Sequence, residues 1–221
     1  MGDLFLKIVH QCKGRVVMRK NCFGEKGTAY MVRIAMLATI SAVLMYLDFP
    51  LPFMPPFLKM DFSDIPALLA AFSLGPIAGV MVVLIKNIVH LFVSSSLFVG
   101  ELANFLIGAA LVLPAGIIYK YKKSRKGALL GMLGGTVCML IMAVVTNIYL
   151  TIPLYIKAFR MSMESIVGMC QAVNPAITDL KTLMIIGIVP FNLIKAIIVL
   201  ILTYILYKRL SHVLHYQNKN R

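Results

Sequence analysis

Charge is what this sequence has least of. Only 14% of its 221 residues are Asp, Glu, Lys or Arg, and 60% are apolar; a soluble domain carries about a quarter charged residues. That leaves too little charged surface for a soluble fold of 24.4 kDa. Acid is scarcer still, with eight Asp and Glu against 22 Lys and Arg, and Trp is absent. The four cysteines, Cys12, Cys22, Cys138 and Cys170, form no CxxC and no metal-like spacing, which argues against a disulfide framework or a metal site. No GxxxxGK[ST] phosphate loop occurs, so the chain cannot power anything with ATP by itself. Neither HExxH nor a Ser/His/Asp arrangement appears, so hydrolytic chemistry has no visible machinery and an enzyme is not expected. The start lacks the short apolar region and cleavage site of a signal peptide, and Leu6 breaks the myristoylation pattern.

What the sequence has instead is long apolar runs. Residues 31–47, 97–119, 127–150 and 183–207 are too long and too apolar for a soluble core, since about 20 apolar residues cross a bilayer. The fold class is therefore an all-α integral membrane protein, with the lipid bilayer as its solvent.

The basic excess reads as topology. Segments 1–33, 120–126 and 208–221 hold seven, five and four of the 22 Lys and Arg, offset there only by Asp3 and Glu25. The rest of the chain holds six charges of each sign. Short basic segments at membrane ends mark the cytoplasmic side, so nucleic acid is not an expected partner. Segment 65–93 is long for one span and short for two, and parity decides between them. As a single span it puts the 120–126 loop on the opposite side from the basic N-terminus. Split at Gly75-Pro76, a pair that ends one helix and starts the next, it puts all three basic segments on one side. Six spans with both termini cytoplasmic follow, at 30–48, 63–74, 76–93, 100–119, 127–150 and 182–207. A re-entrant pair in place of two crossings is the alternative. The organisation is a basic cytoplasmic extension 1–28, one membrane domain 29–209 and a tail 210–221, with 151–181 a long outer segment.

Polar residues inside spans are costly and usually face an interior or a cavity. Here they are Lys86, Asn87 and His90, then Glu101 and Asn104, then Asn147, then Asn192 and Lys195. Spacings of three and four put Lys86 with His90, Glu101 with Asn104, and Asn192 with Lys195 on single faces. Lys86, His90 and Glu101 read equally well as mutual interhelical partners. Asn147, Asn192 and Lys195 read better as ligand-binding groups, because Lys195 at mid-depth has no evident acidic partner on its own or a neighbouring span. Loop 49–62 carries four prolines with Phe53, Met54, Phe57 and Leu58; it reads as an aromatic belt at the interface or as a lid over a flat ligand. Asp61 to Pro66 reads as a helix start with Ser63 or Asp64 as its cap. Ala38 and Ala42 make a small-xxx-small pattern that allows close helix approach.

Leu58-Lys-Met-Asp-Phe-Ser-Asp-Ile-Pro-Ala-Leu-Leu69, followed by Leu74-Gly-Pro-Ile-Ala-Gly79 and Lys86-Asn87, resembles the riboflavin-specific S component of energy-coupling factor (ECF) vitamin transporters, in order over residues 31–207. The resemblance implies a six-helix substrate-binding subunit in a bacterial cell membrane. Riboflavin would be its transported substrate, with no cofactor. Its partners would be a transmembrane coupling protein and two ATPase subunits. It also implies that Asn147, Asn192 and Lys195 contact the flavin, that loop 49–62 closes over it, and that Ala38 and Ala42 meet the coupling protein. Asn87, Glu101 and Asn104 are weaker candidates for the ribityl chain, and Tyr149 a weaker contact from the outer segment. Another vitamin or small heterocycle on the same architecture is the nearest alternative; a membrane-embedded enzyme or stand-alone channel is the alternative of a different class.

Overall fold

The computed structural model describes residues 27–52, 54–55, 58–94, 98–160 and 162–219, with side chains as far as Tyr207 apart from Phe159. The N-terminal extension up to residue 26, and Phe53 and Phe57 of the proline-rich loop, lie outside the described residues. Two compact units meet inside the first helix, α1 (Gly27–Tyr46): residues 1–36 and residues 37–221. The described part of the first unit is the opening of α1. All other elements belong to the second.

Among the described residues, five helices are long and apolar enough to cross a membrane, and a sixth, α2 (Asp64–Ser73), is apolar but only 10 residues long. The expected break stands between α2 and α3 (Pro76–His90), which runs on through a 3-10 turn at Leu91–Val93. Gly75 sits at φ 111°, ψ 164°, a conformation open to glycine and strained for any residue with a Cβ. Pro76 then fills the first helical position, where its missing N–H is no loss. At ~15 Å by its rise, α2 is too short to span alone. It is buried along most of its length and packs on α3, on α4 (Val99–Tyr121) and on the last helix, α9 (Val189–Lys219). Its backbone polar groups are thus shielded by protein rather than exposed to lipid, as the bilayer requires.

α4 and α5 (Arg125–Thr146) form an antiparallel hairpin across the basic loop, with the Ser124 side chain accepting from Gly127 N at 3.0 Å as the α5 cap. A methyl group on Gly135 would stand 2.3 Å from the Leu111 carbonyl oxygen, so glycine is what lets these two helices meet backbone to backbone.

The long outer segment is not a plain loop, which corrects the expected end of the fifth span at residue 150. Helix continues through a π turn at Asn147–Thr151 into α6 (Ile152–Phe159), then α7 (Met163–Gln171). After the short α8 (Leu180–Thr182), a second π turn at Leu183–Ile188 leads into α9. Each π turn is followed by a proline two residues on, Pro153 and Pro190. Proline removes one backbone donor and crowds the carbonyl four residues earlier; the wider turn accommodates both. Ile166, Cys170 and Ile177 pack with Ala143, Ile152, Leu183 and Ile188 into one apolar cluster, and burial pushes the Cys170 thiol up to about 11. The segment is thereby folded onto the ends of α5 and α9.

Loop 49–62 is a β-hairpin, closed by β1 (Phe49–Pro50) against β2 (Lys59–Met60) and by an Asp48–Lys59 ion pair of 3.0 Å. Its Leu58 packs against the α5–α9 cluster, and Pro55 is buried beside Gly187 of the second π turn.

Replacing Gly75 by Ala is expected to cost about 1–3 kcal/mol of stability through backbone strain. Gly168→Ala, in a helix with open space around it, is expected to be neutral or slightly stabilising. Thermal unfolding in mild detergent reads both; equal melting temperatures for the two variants contradict the strain argument.

Candidate functional site

Asp61, Asp64, Lys86 and Lys195 are all buried, each at 5% exposure or less. Four charges taken out of water are tolerable only if they neutralise one another and fill their hydrogen bonds. Lys86 Nζ donates to Asp64 Oδ1 and to Ser63 Oγ, both at 2.6 Å. Lys195 Nζ donates to Asp61 Oδ2 at 2.8 Å. The second Asp64 oxygen makes no hydrogen bond but stands 3.4 Å from Lys195 Nζ, within reach of its charge. Asp61 Oδ1 takes both the backbone N–H and the hydroxyl of Ser63, and the Ser41 hydroxyl of α1 donates to the Ser63 carbonyl. Two acids thus face two bases, with no net charge.

This overturns the expectation that Lys195 lacks an acidic partner. Asp61 lies 134 residues away in sequence, on the loop that leads into α2. Neither helical spacing nor neighbouring spans bring it to attention. Ser63 does precede α2 as its cap residue, but without capping it by its side chain; its hydroxyl serves the ion network instead. Burial alone would raise the Asp61 carboxyl, but the Lys195 and Lys86 ammonium groups outweigh it and hold it well below the usual aspartate value of 3.8. The stability it contributes is present above that value and fades as pH falls below it.

Lys195 and Asp61 form one wall of a cavity of about 370 Å³, a size proper to small-molecule sites. Asn147, Asn192 and Lys195 all line it, so the three residues singled out from sequence converge there from the π turn after α5 and from α9. Asn147 Nδ2 donates to the Ala143 carbonyl at 2.8 Å, and Asn192 Nδ2 to the Ile188 carbonyl at 2.9 Å. Each amide is thereby fixed to its own helix and retains a carbonyl oxygen and one N–H for a ligand.

Leu58, Glu101 and Asn104 line the same cavity. Glu101 meets His90 at 2.9 Å and Asn104 Nδ2 approaches the Met45 sulfur at 3.9 Å. The expected pairing of Glu101 with His90 is therefore present, while Lys86 pairs with Asp64 and takes no part in it.

Other expected positions stand apart from the cavity wall. Asn87 is buried off the cavity, its amide donating to the Val83 carbonyl at 2.7 Å. Tyr149 is 77% exposed, two residues past Asn147 and so on the opposite side of the helix. Met54 is half-buried in the hairpin but not on the cavity wall. Ala38 and Ala42 are 1% and 5% exposed; the open positions beside them on α1 are Thr39, Ile40 and Val43. Sequence reading missed Asp61, Thr151 and Phe191, and left Tyr155 unassigned; all four are on the cavity wall. The signal for two of them was available: Asn147, Thr151 and Tyr155 recur at every fourth residue.

Comparison with known proteins places this chain in a family. The family described as ECF transporter, substrate-specific component, matches residues 29–207. The riboflavin transporter RibU of Staphylococcus aureus (strain TCH60) is 40% identical over 184 residues, 83% of this chain and 91% of that protein. The riboflavin transporter FmnP of Bacillus subtilis (strain 168) is 36% identical over 186 residues, 82% of this chain and 91% of that protein. A solved structure of the S component of a bacterial ECF transporter superimposes with a TM-score of 0.69 at 38% identity, covering 85% of this chain and 98% of that one.

The ion network makes its own prediction. Lys86→Met leaves Asp64 buried without its main partner and is expected to cost about 3–5 kcal/mol. Adding Asp64→Leu removes the stranded charge, leaves Asp61 with Lys195, and should recover more than half of the loss. Unfolding of the two variants in detergent tests this; a double variant no more stable than the single one contradicts the pairing.

Proposed function

The chain belongs to the substrate-specific components of ECF transporters, and we propose that it captures riboflavin at the outer face of a bacterial cell membrane for inward delivery. The family is one of transport, not catalysis, and the protein is a multi-pass membrane protein. Riboflavin is its transported substrate and no cofactor is required. Delivery takes place in complex with a transmembrane coupling protein and two ATPase subunits, because the chain has no phosphate loop of its own. Both termini are cytoplasmic on the positive-inside argument, which makes the hairpin end of the fold the outer one.

The observation that carries this reading is the convergence of Asn147, Asn192 and Lys195 on one cavity beneath a proline-rich hairpin. Isoalloxazine is a flat ring with apolar faces and an imide edge that alternates carbonyl, N–H and carbonyl. Two asparagine amides, each with one N–H and one carbonyl to spare, can pair with that edge, and an ammonium can donate to a carbonyl. Lys195 keeps further N–H donors after its bond to Asp61, and that bond keeps its charge neutralised. Met45, Leu58, Ile107 and Phe191 supply soft apolar and aromatic contacts for the ring faces. His90, Glu101 and Asn104 offer polar partners to a hydroxylated side chain.

Asn147→Ala and Asn192→Ala are each expected to weaken riboflavin binding at least tenfold while leaving the protein folded. Titration of the purified protein with riboflavin, followed by quenching of flavin fluorescence, measures this. Unchanged affinity in both variants contradicts the site; failure of the wild-type protein to quench at all contradicts the ligand.

A further inference from the structure

We infer that Thr151 is a specificity-determining residue whose hydroxyl hydrogen-bonds the bound flavin; the inference rests on the riboflavin reading and adds to it a group on the wall formed by the π turn. Thr151 is 5% exposed and lines the cavity. Its Oγ1 is buried and has no hydrogen-bond partner among the described residues. A buried hydroxyl left unpaired is destabilising, so its position calls for a partner the chain does not supply.

The local backbone is unusual. A threonine inside a helix ordinarily donates back to the carbonyl four residues earlier, as Thr136 does to Met132 at 2.9 Å. For Thr151 that carbonyl belongs to Asn147, which accepts from the N–H of Ile152 across the π turn. The Thr151 hydroxyl makes no bond to its own helix. Thr146 and Thr203 also have unpaired buried hydroxyls, but neither lines the cavity. Thr151 shares a helix face with Asn147 one turn before it and with Tyr155 one turn after it. All three line the same cavity, forming a polar stripe along one of its walls. A hydroxyl both donates and accepts, so it suits a ring nitrogen or carbonyl as well as a ribityl hydroxyl.

The test uses Thr151→Val, which keeps the shape and removes the hydroxyl, and Thr151→Ser, which keeps the hydroxyl. Riboflavin affinity is read by fluorescence quenching, and melting temperature is read with and without riboflavin. Thr151→Val is expected to weaken riboflavin binding about fivefold or more, and Thr151→Ser to remain within about twofold of wild type. Flavin-free Thr151→Val should melt at or above the wild-type temperature, because an unpaired hydroxyl has gone, while its stabilisation by riboflavin shrinks. A purely structural role predicts the opposite: a lower melting temperature without flavin. That result, or equal affinity of Thr151→Val and wild type, overturns the inference while leaving the riboflavin reading intact. A wild-type protein that does not bind riboflavin overturns both.

Discussion

Four buried charges constrain everything else in this fold. Asp61 with Lys195 and Asp64 with Lys86 hold together the hairpin exit, the start of α2, the later part of α3 and the early part of α9. In a low-dielectric interior a single unmatched member would be intolerable. The positions of these elements are therefore interdependent, and α2 is the clearest case. It is too short to cross a bilayer, yet its first turn is fixed by Asp64 to Lys86, by Ser63 to Asp61 and by Ser41 to the Ser63 carbonyl. The remainder of α2 is packed on its neighbours.

The same network prepares the cavity. One of its four members, Lys195, presents its ammonium to the cavity while Asp61 neutralises it from the same wall. Also on its lining, Lys59 is matched to Asp48, and His90 faces Glu101. Every basic side chain on the described wall thus stands beside a carboxylate, and the groups left for a ligand are neutral amides, a hydroxyl and spare N–H donors. Such a lining suits an uncharged, flat, amide-edged heterocycle, held by hydrogen bonds and apolar contact. The hairpin is tied back to α9 by Asp61, so hairpin and helix share one ion pair beside the cavity.

Much of this was legible in the residues. Apolar run lengths and basic loops fixed the membrane class and the order of six helices, and Gly75-Pro76 marked the break between α2 and α3. Mid-span Asn147, Asn192 and Lys195 stood out because polar groups at that depth need a reason. What was not legible depended on contacts distant in sequence. Asp61 read as part of a helix start, and only the fold brings it to Lys195. Tyr149 and Thr151 differ by two residues, and helix phase alone decides that one faces outward and the other the cavity. Ala38 and Ala42 carry a pattern that lets a helix approach closely, but the pattern does not say which helix. The π turns had a signal, the prolines at 153 and 190, which ordinary helical periodicity passes over.

The most direct test of the account is a crystal structure of the protein purified in the presence of riboflavin. The account predicts the imide edge of the isoalloxazine within hydrogen-bond distance of Asn147 and Asn192, with Lys195 reaching a flavin carbonyl while still bonded to Asp61. A flavin bound away from these residues, or a Lys195 that abandons Asp61 to reach it, would contradict the claim that one neutral ion network builds both the fold and the site.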